Sequence, residues 1–100
     1  MAVKLTGHQI EVVLTTLEGW KLEHGQIVRE YEFPDFVAAA MFVTGVNLEA
    51  EKANHHPELV HRYGKVRIQL STHDVGGISE LDFRLAKKLD ARAKSLLEKE

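Results

Sequence analysis

Two stretches of this chain follow a period of two, and the segments around them do not. In "GQIVREYEF", Ile27, Arg29, Tyr31 and Phe33 alternate with Val28, Glu30 and Glu32, and in "KVRIQL", Val66, Ile68 and Leu70 alternate with Lys65, Arg67 and Gln69. Successive side chains of a strand point to opposite faces, so each stretch reads as a strand with one face against a core. Each has a short neighbour in sequence: "WKLE" ahead of a turn at His24-Gly25, and "ELVHR" ahead of a tight connection at Tyr63-Gly64-Lys65. Two hairpins follow from that pattern.

Helical spacing fills the remainder. "LTGHQIEVVLTTLEGW" opens with Thr6 and Gln9 in capping-box positions and places Ile10, Val13, Leu14 and Leu17 on one side, with Gly19 as its end. Pro34-Asp35 opens the central helix, "DFVAAAMFVTGVNLEAEKAN", whose approximate face is Phe36, Ala40, Val43 and Val46-Asn47, with Gly45 where the helix would cross the sheet. Pro57 stops it, because the residue before a proline is biased out of the helical region. "HDVGGIS" reads as a loop. A last helix has Ser79 as N-cap, Asp82 three residues on, and a stripe of Leu81, Leu85, Leu89, Ala86 and Ala93. The order α-β-β-α-β-β-α predicts an α+β fold, a four-stranded antiparallel sheet with three helices packed on one face, as a single domain over residues 1–100.

Such a length supports one modest core, so a shallow pocket and further burial between subunits are expected. With 13 Lys+Arg against 15 Asp+Glu there is no net basicity and no basic stripe, which disfavours direct binding of nucleic acid or an acidic membrane. The absence of cysteine excludes disulfides and thiolate chemistry. No run reaches the roughly 18 apolar residues of a membrane span, and "MAVKLTGHQIEVV" has no uninterrupted apolar stretch, so a soluble, cytoplasmic protein is expected.

The histidines are the chemically pointed feature. Of six, His8, His24 and His61 fall in a helix start, a turn and a short strand, where structurally neutral roles suffice. His55, His56 and His73 each lie at the end of an element beside Pro or Gly, where side chains are rigidly mounted and open to solvent. "NHHP" has three readings: a solvated helix cap, a metal site with Glu51 supplying a carboxylate, or proton transfer. Adjacent histidines and the lack of i,i+4 His pairs weigh against metal. Imidazole has an ordinary pKa of about 6.5, which suits it to serve as acid or base near neutrality. Glu51, four residues before His55, would share its face if the helix persisted, and could then orient it.

The run Glu51, three residues, His55-His56-Pro57, five residues, Tyr63, nine residues, His73, eight residues, Asp82 closely resembles the signature of the pterin-4a-carbinolamine dehydratase family, as does "EGWKL". That resemblance implies removal of water from a 4a-hydroxytetrahydropterin to give the quinonoid dihydropterin, in pterin recycling after aromatic amino-acid hydroxylation, with no cofactor besides the pterin substrate. It implies His55 and His73 as acid/base groups with Glu51 beside them, and His56, Trp20, Asp82 and Pro57 at the pterin. Ordinary roles stand alongside: Trp20 as a core aromatic, Asp82 as a cap partner of Ser79, Tyr63 as a turn residue and Glu51 as a solvated carboxylate. The family forms dimers and tetramers, and in some animals a member serves as dimerisation partner of a homeodomain transcription factor. If the enzyme reading holds, His55, His56 and His73 should line one cavity with Glu51 within reach of His55.

Overall fold

In the computed structural model, which describes residues 2–97, the elements are α1 Gly7–Leu14, β1 Lys21–Glu23, β2 Gln26–Glu32, α2 Phe36–Ala53, β3 Glu58–Arg62, β4 Lys65–Leu70 and α3 Glu80–Leu97. A single 3-10 turn, His73–Val75, precedes α3. The strands form one antiparallel sheet in the order β1-β2-β4-β3, so the two strands with the clearest alternation are the central pair. Their register runs from Ile27↔Leu70 to Glu32↔Lys65. Ile27, Tyr31, Val66, Ile68 and Leu70 are all buried, while Arg67 on the opposite face is held 2.8 Å from Glu23 and 3.5 Å from Glu30. One face is core, and the other is charged along Glu30, Glu32 and Arg67, although Val28 on that face is buried as well.

Helices α2 and α3 pack on the buried face and on each other, and Ile10 of α1 joins the same hydrophobic cluster. Tyr31, Phe33 and Phe42 form its aromatic centre, with ring centroids 4.5 Å apart for Tyr31 and Phe42 and 5.0 Å apart for Phe33 and Phe42. Asp35 caps α2 by accepting the Ala38 amide at 2.8 Å, and the expected Thr6/Gln9 capping box closes α1.

Four details depart from the sequence reading. Helix α1 ends at Leu14 instead of reaching Gly19, because the Thr15 and Thr16 hydroxyls donate back to the Val12 and Val13 carbonyls at 2.6 and 2.7 Å and the backbone tightens. The buried face of α2 is Ala39, Phe42, Val46 and Ala50, rotated from the expected one; Phe36 is exposed and stacks on His61 at 4.9 Å. That helix is apolar on most sides, so its periodicity does not single out one stripe. Gly45 faces α3 and not the sheet: a Cβ there would lie 2.7 Å from Arg92 Cδ. On α3 itself Phe83 takes the place in the core expected for Leu81, which is exposed.

Candidate active site

The segment "NHHP" is where α2 is made to stop. Asn54 adopts the left-handed conformation at φ 49°, ψ 44°, which asparagine tolerates better than most side chains. The His55 amide then reaches back to the Ala50 carbonyl at 3.0 Å and the Asn54 amide to the Glu51 carbonyl at 3.2 Å. This paired closure satisfies carbonyls that a helix end would otherwise leave open. Pro57, half-buried, then leads the chain straight into β3.

Because the chain reverses at Asn54, the four-residue helical spacing between Glu51 and His55 does not apply, and the expected contact between them is not made. Glu51 instead reaches His56, Oε1 to Nε2 at 3.0 Å, in a pair whose side chains are largely exposed. His55 turns inward, and its Nε2 lies 2.6 Å from Oδ1 of Asp82. Its side chain retains 12% of its exposure and that of Asp82 none.

Asp82 joins two distant parts of the chain. Its Oδ2 accepts the Ser79 backbone amide at 3.0 Å and the Thr72 hydroxyl at 2.8 Å, and the Thr72 and Ser79 hydroxyls are 2.6 Å apart. Asp82 is therefore both the cap partner of Ser79 and the anchor of His55. A buried carboxylate is tolerable only when so fully bonded. Thr72 is also fixed through its backbone, which pairs with Gly77. His73 follows at once, exposed, at the start of the 3-10 turn, with its carbonyl accepting the Gly76 amide at 3.0 Å. Two of the three histidines are thus mounted on segments tied to a single carboxylate.

The three histidines do not share the cleft that His55 lines. A cleft of about 200 Å³ beside His55 is lined by Ala53, Leu81, Arg84, Leu85 and Lys88, while His56 and His73 lie outside it. Nor is Trp20 brought to the histidines. It is buried, and its indole N–H donates to both carboxylate oxygens of Asp90 at 3.1 and 3.0 Å. Asp90 also accepts from Arg29 at 2.8 Å and from Tyr31 at 2.5 Å. It lies two turns beyond Asp82 on α3, roughly 12 Å along the axis. Burial, and then the bond to Asp90, push the Tyr31 phenol well above its ordinary range, so it stays a neutral donor. Tyr63 sits in the β3–β4 turn at φ 52° and is strongly exposed.

Sequence reasoning paired Asp82 with Ser79 but missed Thr72 as its other partner and misassigned the partner of His55. The Ser79-x-x-Asp82 spacing carried part of the signal; nothing local marked Thr72. Among the described residues, no group of three or more His, Asp or Glu side chains is placed to hold a metal ion. Among those same described residues, no helix is long and apolar enough to cross a membrane.

Residues 3–92 match the family model described as pterin 4 alpha carbinolamine dehydratase. The chain belongs to this family. It is 45% identical over 93 residues to a Solibacter usitatus protein provisionally named pterin-4-alpha-carbinolamine dehydratase, covering 93% of this chain and 98% of that one. A similarly named Acidobacterium capsulatum protein is 49% identical over 88 residues, covering 88% and 96%. A solved Brucella melitensis structure, described as a transcriptional coactivator/pterin dehydratase, superposes with a TM-score of 0.87 at 38% identity, covering 91% of this chain and 99% of that one. The dehydratase family match contains the whole run from Glu51 to Asp82, and with it both histidine mounts.

Proposed function

We propose that this chain is a cytoplasmic 4a-hydroxytetrahydrobiopterin dehydratase, a hydro-lyase that yields quinonoid dihydrobiopterin in tetrahydrobiopterin recycling. The observation that carries the proposal is the Asp82 anchor: one buried carboxylate holds His55 directly and, through Thr72, the segment that mounts His73. Two imidazoles on rigid, solvent-reachable mounts suit a reaction that needs one proton given and one taken.

In the substrate, the 4a carbon bears both a hydroxyl and a ring nitrogen. The nitrogen lone pair forms the C=N bond as the C–O bond breaks, one imidazole protonates the departing oxygen to give water, and the ring system gives up a proton to the other. His55 and His73 share these roles. His56, steadied by Glu51, binds the pterin, and Pro57 fixes its backbone. Trp20 acts through the core, on Asp90, rather than on the pterin. The chemistry calls for no hydride, covalent nucleophile, metal or further cofactor.

The functional unit is a homo-oligomer. Helix α2 exposes Val37, Met41 and Leu48, residues that share one side of the helix, and a second copy would cover them. The same surface favours a second reading, an interaction module that serves as dimerisation partner of a transcription factor without catalysis; the Brucella melitensis protein is described as a transcriptional coactivator/pterin dehydratase. An assay separates the two. Purified protein should accelerate loss of water from either stereoisomer of 4a-hydroxytetrahydrobiopterin above the spontaneous rate, followed by the absorbance of the quinonoid product. Folded, assembled protein with no effect on either isomer would leave the interaction module.

A further inference from the structure

We infer that His55 works through Nδ1, with its Nε2–H held by Asp82, and that the hydroxyls of Thr72 and Ser79 are positioning groups that fix this tautomer. The inference rests on the dehydratase reading for its catalytic part and on hydrogen-bond polarity for its structural part.

Polarity can be followed atom by atom. Leu81 donates its backbone amide to Ser79 Oγ at 3.3 Å, and an amide N–H can only donate. Thr72 has one hydroxyl hydrogen, and it goes to Asp82 Oδ2 at 2.8 Å. The 2.6 Å contact between the two hydroxyls must therefore use the Ser79 hydrogen, with Thr72 Oγ1 accepting. Ser79 adds its backbone amide to the same Oδ2 at 3.0 Å. Every donor in the chain points toward Asp82, the arrangement a carboxylate without a proton of its own demands. Its other oxygen, Oδ1, then accepts from His55 Nε2 at 2.6 Å.

A neutral imidazole carries one N–H. With that hydrogen committed to Asp82, Nδ1 bears the lone pair, and it is the nitrogen that takes and returns a proton at the substrate. When it does so, the imidazolium forms against a carboxylate already in place, so no group has to reorganise. Loss of the Thr72 hydroxyl would remove one of two donors on Oδ2, free Asp82 to rotate, and let the ring populate the other tautomer. Thr72 also precedes His73 directly, so one hydroxyl sets the position of both imidazole mounts.

The test reads the tautomer without substrate. Long-range proton–nitrogen NMR of wild-type protein with ¹⁵N-labelled histidine, at a pH where the rings are neutral, should show His55 with a protonated Nε2 and a lone-pair Nδ1. A protonated Nδ1 would overturn the inference whatever the enzyme assay gives. Thr72→Val should mix the tautomers and lower kcat roughly 3- to 10-fold, the worth of one hydrogen bond, with KM unchanged. Thr72→Ser should restore both. Folded Thr72→Val protein with the wild-type spectrum and kcat would overturn the positioning role. Should that variant not fold, Ser79→Ala, which leaves the Thr72 hydroxyl and the Ser79 amide in place, should give a smaller shift of the same kind, and an unchanged spectrum there would count against the relay. Absence of turnover in wild type would instead count against the dehydratase reading and leave the tautomer result standing.

Discussion

Asp82 Oδ1 lies 2.6 Å from Nε2 of His55, a carboxylate with no solvent exposure gripping an imidazole 27 residues earlier in the chain. Removing it strands three donors at once: the His55 ring, the Thr72 hydroxyl and the Ser79 amide. A buried donor left unbonded costs about 1–3 kcal/mol, so three stranded together bring the loss to about 3–5 kcal/mol, at the upper end for a single substitution. Asp82→Ala should therefore lose about 3–5 kcal/mol in urea denaturation, and Asp82→Asn, which keeps the shape and one acceptor, distinctly less. A loss under about 0.5 kcal/mol for the alanine variant would mean the network is not formed in solution.

The three histidines should separate kinetically. Positioned acid/base groups contribute about 10²- to 10⁴-fold, so His55→Ala and His73→Ala should each lose a large part of kcat, to different degrees with the two hydroxyl stereoisomers. His56→Ala and Glu51→Ala should act through KM, provided chemistry is slow relative to substrate release. Equal effects of His24→Ala and His73→Ala would remove His73 from the site.

Proton transfer between imidazoles and a carbinolamine needs no Lewis acid. Activity should survive exhaustive chelation, and elemental analysis should find well under one zinc per chain. Stoichiometric zinc, with activity lost on chelation and restored on its return, would transfer His55 and His56 to a metal site.

What the sequence disclosed and what it withheld have physical causes. Alternation through Ile27 to Phe33 and Val66 to Leu70 fixed the sheet, because a one-residue slip would put charge in the core. The face of α2 was misread, since Val37, Met41 and Leu48 are apolar yet exposed. The Glu51 and His55 contact failed for a local reason, the left-handed Asn54, which spacing rules for an unbroken helix do not include. The partner of His55 lay 27 residues away, and only the fold could supply it.

Trp20 is a test of core against pocket. Its indole N–H is bonded to Asp90, alongside Arg29 and Tyr31. Trp20→Phe keeps most of the ring volume and removes the donor, so stability should fall by about 1–3 kcal/mol while kcat and KM, measured well below the transition, stay at wild-type values. A raised KM without lost stability would return Trp20 to the pterin.

The clearest pH dependence should come from the junction of α2 and α3. Arg92 Nε donates to Glu49 Oε2 at 2.7 Å, and this bond, outweighing the opposing effect of burial, holds the Glu49 carboxyl below its ordinary value of 4.5. Between the lowered value and 4.5 the unfolded chain binds a proton that the folded protein does not, so stability rises with pH across that window. The pair's contribution is complete above the ordinary value and is lost as pH falls through the folded one. Other carboxylates titrate in the same range, so the readout is the difference between wild type and Arg92→Met. Without Arg92 the largest cause of that lowering is gone, although Lys52 stays 3.6 Å from Glu49, so the variant loses less stability than wild type as acid is added. The gap between their urea midpoints should therefore narrow from about pH 6 to about pH 3. A gap that stays constant over that span would mean Glu49 and Arg92 are not paired in solution.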